Sequence, residues 1–192
     1  MKILLVVATK QEVIESKFKD CTVLVTGVGM VNTAIHLTEE LLENKYDLVI
    51  NMGVAGSFSE DFKIGDVVEV IEDNFSEIGF ENGSGFEEFS DFEIVTNYSV
   101  AGKTDLQKVK GITVNTVHGN EKSINEIVKR LNPDVESMEG AAVFKVCKKF
   151  AVTCMQIRAI SNKVEKRNKE NWNMPLAIRN LNNQVEKIIM EL

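Results

Sequence analysis

The sequence predicts an α/β fold: a three-layer α/β/α sandwich around a mixed, mostly parallel sheet. Two observations predict it. Apolar runs rich in Val and Ile recur with few polar interruptions, the pattern of strands buried on both faces. Segments with helical periodicity alternate with those runs. No linker, repeat or low-complexity tract divides the 192 residues. One domain spanning 1–192 is therefore expected, and a chain of this size buries roughly 70% of its extended surface.

The predicted strands are Ile3–Ala8, Thr22–Thr26, Leu48–Asn51, Val67–Ile71, Ile112–Val117 and Thr153–Ile160. The predicted helices are Val31–Leu42, Ile124–Leu131, Ala141–Phe150 and Pro175–Ile189, where apolar residues return at three- and four-residue spacing. The first apolar run is too short for a signal peptide and leads straight into charged sequence, so it reads as a strand. The segment Asn74–Asp91 is rich in Gly, acids and Phe without a clear period. It reads as a loop or flap over the site.

Hydrophobic content of 44% and charged content of 27% are ordinary for a soluble protein. A net charge of −7 argues against a nucleic-acid partner, which needs a basic surface. No apolar run reaches the roughly 18–20 residues that span a bilayer, so no membrane partner is expected. Cys21, Cys147 and Cys154 are odd in number and lack metal-ligand spacing, which suggests core thiols in a reducing, cytoplasmic setting. No His/Cys/carboxylate cluster points to a metal, and no cofactor is expected.

Chemistry gathers near the C-terminus. In Glu136-Ser-Met-Glu-Gly-Ala-Ala142 a turn opens a helix and places Glu139 in its first turn. In Cys154-Met-Gln-Ile-Arg-Ala-Ile160 a buried strand runs into Ser161-Asn162. A carboxylate at a helix start and an amide at a strand end can face one crevice, the place where open α/β sheets bind ligands. Gly27-Val-Gly29 and Gly53-Val-Ala-Gly56 each follow a strand and let backbone N–H groups approach a ligand, although a glycine there is usually just a turn. Neither is a dinucleotide fingerprint, because the required acidic residue is missing.

The run from Val135 to Ile178 resembles the purine nucleoside phosphorylase and nucleosidase superfamily, and in detail the futalosine hydrolases, nucleosidases of an alternative menaquinone pathway. The resemblance rests on Val-Glu-Ser-Met-Glu-Gly-Ala-Ala, Gln-Ile-Arg-Ala-Ile-Ser-Asn, Val164-Glu-Lys-Arg-Asn168 and Asn171-Trp-Asn-Met-Pro-Leu-Ala-Ile178. Val6-Val-Ala-Thr9, Thr26-Gly-Val-Gly29, Asn51-Met-Gly-Val-Ala-Gly-Ser57 and Gly65-Asp-Val-Val68 agree. It covers most of the chain and is weakest from about 80 to 110.

The resemblance implies a nucleoside substrate, a homo-oligomer and a set of roles. Glu12 is the general base for water, although its residue type also suits a solvent-facing first-turn glutamate. Glu139 accepts hydrogen bonds from the ribose hydroxyls and faces the positive charge that develops on the sugar. Loops carrying Gly29, Gly53, Ala55 and Gly56 line the ribose or phosphate side; Met138 packs on the sugar or base, and Ser161 is expected to bind substrate. Asn162 stands where adenine-specific relatives carry an aspartate. An amide cannot act as an acid, but it donates one hydrogen bond and accepts another, which suits a 6-oxopurine such as hypoxanthine. Gly119-Asn-Glu-Lys122 lacks the phenylalanine that stacks on the base in those relatives, so Phe75 or Phe80 is expected to stack. His118 lies near the site with no oriented partner evident, and His36 reads as structural. Arg167, with Trp172 nearby, is expected at the substrate's carboxylate tail.

The four arginines, Arg130, Arg158, Arg167 and Arg179, all lie outside the N-terminal two thirds where the family binds phosphate. Hydrolysis is favoured over phosphorolysis, since arginine forks are the usual dianion clamp. Three alternatives stay open: a methylthioadenosine/S-adenosylhomocysteine nucleosidase, a purine nucleoside phosphorylase, and a nucleoside-binding protein without catalysis.

Overall fold

The computed structural model describes the chain from Met1 to Leu192 except Ser84, Ser90, Phe92 and Arg167. Strand β1 (Ile3–Val7) leads through two 3₁₀ turns to β2 (Thr22–Val25), helix α1 (Met30–Glu43), β3 (Leu48–Ser57) and β4 (Val67–Phe75). A small hairpin follows, β5 (Phe80–Glu81) with β6 (Phe86–Glu87), and then β7 (Asn97–Ser99) and β8 (Lys108–Thr113). The C-terminal part is α2 (Glu121–Leu131), β9 (Val135–Ser137), α3 (Gly140–Phe150), β10 (Cys154–Lys163) and α4 (Met174–Met190).

The main sheet runs β10-β4-β8-β9-β3-β1-β2, with β7 on β4. It is mixed. β1–β2, β1–β3, β3–β10, β4–β8 and β8–β9 are parallel, whereas β4–β10, β3–β9 and β4–β7 are antiparallel. Because β10 pairs with both β4 and β3, the strands β3, β10, β4, β8 and β9 close into a ring. Each of the five contributes to an apolar plug of Ala55, Val68, Val70, Val109, Val135 and Ile160, with Phe62 beside them. Ring closure leaves none of these five strands at an edge, and β2 and β7 are the edge strands of the sheet.

Helices cover both faces. On one side Ala177, Leu181, Val185 and Ile188 of α4 pack on Leu5, Val7, Ile50, Met52 and Ile157. On the other, Leu37 and Leu41 of α1 and Val143, Phe144 and Cys147 of α3 pack on Leu4, Val6 and Val49. Alternation along β1 and β3 sends successive side chains to opposite helical layers.

Several strands are longer than, or displaced from, their apolar runs. β3 continues through Gly53-Val-Ala-Gly56, so those residues form a strand and not a loop. β10 continues through Ser161-Asn162. β8 starts and ends four residues before the run Ile112–Val117. In each case backbone pairing with a neighbour decides the boundary, and the residue pattern does not carry that information. Asn74 and Phe75 belong to β4, and the rest of the expected flap contains the β5–β6 hairpin. No helix is long and apolar enough to cross a membrane among the described residues.

Candidate active site

A cavity of about 260 Å³ opens where β1, β3, β9 and β10 end. Ala8, Thr9 and Glu12 line it after β1, and Val54, Ala55 and Gly56 line it from β3. Val117 and His118 follow β8, while Glu136, Ser137, Met138 and Glu139 lead from β9 into α3. Ser161 and Asn162 of β10 and Trp172, Met174 and Ile178 around the start of α4 complete the wall. A larger cavity of about 410 Å³ lies beside β7 and α3, lined by Lys103, Lys148 and apolar or neutral residues, with no carboxylate. The carboxylates line the smaller one.

Glu12 ends a 3₁₀ turn that starts from Thr9. Its Oε2 accepts from the Thr9 N–H at 2.9 Å, and its Oε1 accepts a longer bond from the Val54 N–H at 3.4 Å. Only 8% of Glu12 is exposed, so the solvent-facing alternative does not describe it. A β-carbon on Gly53 would stand 2.9 Å from Glu12 Oε1 and 3.1 Å from Arg158 Nη1. Glycine is needed there because the carboxylate and the guanidinium close over the bare backbone.

Arg158 comes from the middle of β10 and is 1% exposed. Its Nη2 donates to Asn51 Oδ1 at 2.5 Å, and Nε has no hydrogen-bond partner among the described residues. Burial weakens its hold on the proton, while Glu139, Glu12 and Asp73 oppose that effect. A buried cation needs opposite charge, and three carboxylates supply it. Spacing in sequence hides this arginine, because it lies far from the N-terminal loops. The available signal was a charge in an otherwise apolar strand, which must be paired if the strand is buried.

Glu139 occupies the position before α3, but its side chain does not cap that helix. Its Oε1 instead accepts from the Gly29 N–H at 2.9 Å. Burial raises its carboxyl above the ordinary range; Arg158 and the Gly29 N–H pull it down, and Glu12 pushes it up. The three groups thus form one electrostatic unit. Behind it, Asp73 is fully buried, accepts from Thr113 Oγ1 and Gln156 Nε2, and is pushed up to about 6 by burial.

A second cluster surrounds Gly56. The register of β10 shifts between Ile160 and Asn162, which brings Asn162 opposite Gly56. Glu136 pairs with Gly56 from the other side, through β9. Asn162 Oδ1 accepts from Ser161 Oγ at 2.7 Å, and its Nδ2 donates to the Lys163 carbonyl at 2.8 Å. Glu136 accepts the His118 backbone N–H at 3.0 Å and meets His118 Nδ1 at 2.6 Å. His118 therefore has an oriented partner after all. Sequence reasoning missed it because the two residues are eighteen apart and meet only through the β8–β9–β3 pairing.

Of the residues expected at the site, Glu12, Ala55, Gly56, His118, Met138, Glu139, Ser161 and Asn162 share this cavity. Gly53 lies beneath Glu12 and Arg158, and Gly29 serves Glu139 without lining the wall. The stacking role expected of Phe75 is not supported. Phe75 is buried in the layer with α1 and α3, edge-on to Tyr98 at 5.9 Å, because its position in β4 points it into the core. Phe80 packs on Phe89 at 5.4 Å and does not line the cavity. Arg167 lies outside the described residues. Among the described residues no group of three or more His, Cys, Asp or Glu is placed to hold a metal.

The family model of the phosphorylase superfamily matches residues 7–190. The chain belongs to the phosphorylase superfamily. Within the superfamily, it is 26% identical to a futalosine hydrolase of Thermus thermophilus, over 88% of this chain and 80% of that protein. It is 30% identical to a 5'-methylthioadenosine/S-adenosylhomocysteine nucleosidase of a Marinomonas species, over 75% of this chain and 68% of that one. In fold it is similar to a Helicobacter pylori methylthioadenosine nucleosidase solved with 5'-methylthioadenosine in the active site: TM-score 0.86, 19% identity, 100% of this chain and 99% of the other.

Proposed function

We propose that this chain is a purine nucleosidase that hydrolyses the N-glycosidic bond of futalosine, releasing hypoxanthine and dehypoxanthinyl futalosine for menaquinone synthesis. One observation carries the reading. Two buried carboxylates, Glu12 and Glu139, and an amide, Asn162, line one cavity, and the charge of buried Arg158 acts on both carboxylates.

Hydrolysis passes through an oxocarbenium-like sugar and needs an activated water. Glu12 holds the water and takes its proton as oxygen attacks the anomeric carbon. Glu139, oriented by Gly29, accepts the ribose hydroxyls and faces the developing positive charge. Arg158 is 1% exposed and does not line the cavity, so it is poorly placed to clamp a phosphate dianion. That favours water over phosphate as the nucleophile. Asn162 donates to the 6-oxo group and accepts from ring nitrogen 7 once that nitrogen is protonated.

The Marinomonas relative supports a second reading, a nucleosidase for methylthioadenosine or S-adenosylhomocysteine. One assay separates them: purine release from futalosine, its 6-amino counterpart, inosine and methylthioadenosine, with and without phosphate. The futalosine reading expects the 6-oxo substrate to lead and phosphate to be dispensable. A strict phosphate requirement with sugar 1-phosphate as product overturns hydrolysis, and preference for the 6-amino compounds installs the second reading.

A further inference from the structure

We propose that His118, clamped by Glu136, is the proton donor to the departing base, with Glu136 as its positioning residue. The inference rests on the purine nucleosidase reading above. That reading leaves the acid unassigned, because Asn162 can hold a protonated ring nitrogen but cannot supply its proton.

The geometry favours His118. Its Nδ1 lies 2.6 Å from Glu136 Oε2, and Glu136 Oε1 accepts the His118 backbone N–H at 3.0 Å. The carboxylate thus fixes the ring orientation, with the proton on Nδ1 directed at Glu136, and the ring acts as donor to the base when Nε2 carries a proton as well. Nε2 makes no hydrogen bond to a described residue and belongs to a side chain on the cavity wall. Glu136 is 4% exposed, so the contact is held away from solvent. The Phe58 ring, which carries no charge, packs edge-to-face with His118, with ring centroids 6.0 Å apart. The remaining charged groups of the cavity are Glu12 and Glu139, with Arg158 beneath them. Glu136 and Asn162 both pair with Gly56, which puts donor and amide at the same end.

The step balances. The bond from the anomeric carbon to the purine breaks and its electron pair passes to the base. The proton on His118 Nε2 moves to ring nitrogen 7, directly or through one water, where Asn162 accepts the new N–H. Water oxygen bonds to the anomeric carbon and its proton passes to Glu12. Glu12 then releases that proton to solvent, and His118 regains one.

The test compares wild type, His118→Gln and Glu136→Gln for base release from the preferred nucleoside, with thermal unfolding as a fold control. Glutamine at 118 can donate a hydrogen bond but cannot transfer a proton. His118→Gln is expected to lower kcat roughly 10²–10⁴-fold, with KM within threefold. Glu136→Gln is expected to keep the fold and to lower kcat at least roughly tenfold with KM within threefold, since the ring loses the carboxylate that orients it. If either variant keeps kcat within threefold, or impairs KM and kcat alike, the proposal is overturned while the nucleosidase reading stands. If wild type releases no base from any purine nucleoside, both fall together.

Discussion

Oε1 of Glu139 accepts a 2.9 Å hydrogen bond from the backbone N–H of Gly29, 110 residues earlier in the chain. The contact links the start of α1 to the start of α3, and it explains why Glu139 leaves its own helix uncapped. Gly29 can present that N–H because its backbone lies at φ 96°, ψ 153°, a region open to glycine and strained for other residues. Gly29→Ala should therefore cost about 1–3 kcal/mol of stability and also lower kcat, because Glu139 loses its orienting donor. Urea titration and steady-state kinetics on one preparation check both. A variant with wild-type kcat would show that the Gly29 contact is not needed for catalysis.

Glu12→Gln and Glu139→Gln should each reduce turnover roughly 10²–10⁴-fold. Both carboxylates are nearly buried and face Arg158, so each change also removes one of the anions that balance a buried cation. The melting temperature should fall in Glu12→Gln, whose amide is a weaker acceptor for the Thr9 and Val54 N–H groups, which an exposed helix-start glutamate would not cause. Near-normal turnover in either variant would remove that residue from the mechanism.

Asp73 gives a pH signature. Burial raises its carboxyl from 3.8 to about 6, so the folded state holds the proton more tightly than the unfolded state does. Its contribution to stability is fully present below about pH 4 and is lost as pH rises towards 6, a change of about 3 kcal/mol for a shift near two units. Asp73→Asn has no such titration. Gln156 Oε1 has no partner among the described residues and can accept from the new amide after a flip. The stability of Asp73→Asn relative to wild type should rise by up to about 3 kcal/mol between pH 4 and pH 7. Chemical denaturation across that range measures the difference; a constant gap would contradict the assignment.

Asn162 tests substrate class. A 6-amino group would meet the amide donor and leave both unsatisfied, at about 1–3 kcal/mol. That is a preference of roughly tenfold to more than a hundredfold for the 6-oxo nucleoside. Asn162→Asp should erode it, since a carboxylic acid can protonate ring nitrogen 7 without reading the oxo group. The readout is kcat/KM for futalosine against its 6-amino counterpart in both proteins.

Phe75 tests the core against the site. Phe75→Ala should cost about 3–5 kcal/mol of stability and leave KM unchanged. A raised KM without loss of stability would return Phe75 to the substrate.

What the sequence determined by itself is the local part of the structure. Alternating apolar strands and periodic helices give the three layers, because burial on both faces of a strand and one face of a helix writes a readable pattern. Glu12, Glu139 and Asn162 were legible as chemical groups at element ends. Tertiary structure alone decided which groups meet. The closure of β10 onto both β3 and β4 carries Arg158 against Glu12 over Gly53, and the pairing of β9 with β8 and β3 sets Glu136 against His118. It also turned Phe75 inward, since the pleat of β4 fixes the face each residue takes. Pairing and register are long-range and carry no local signature, and a buried charge reveals its partners only when the chain has closed around it.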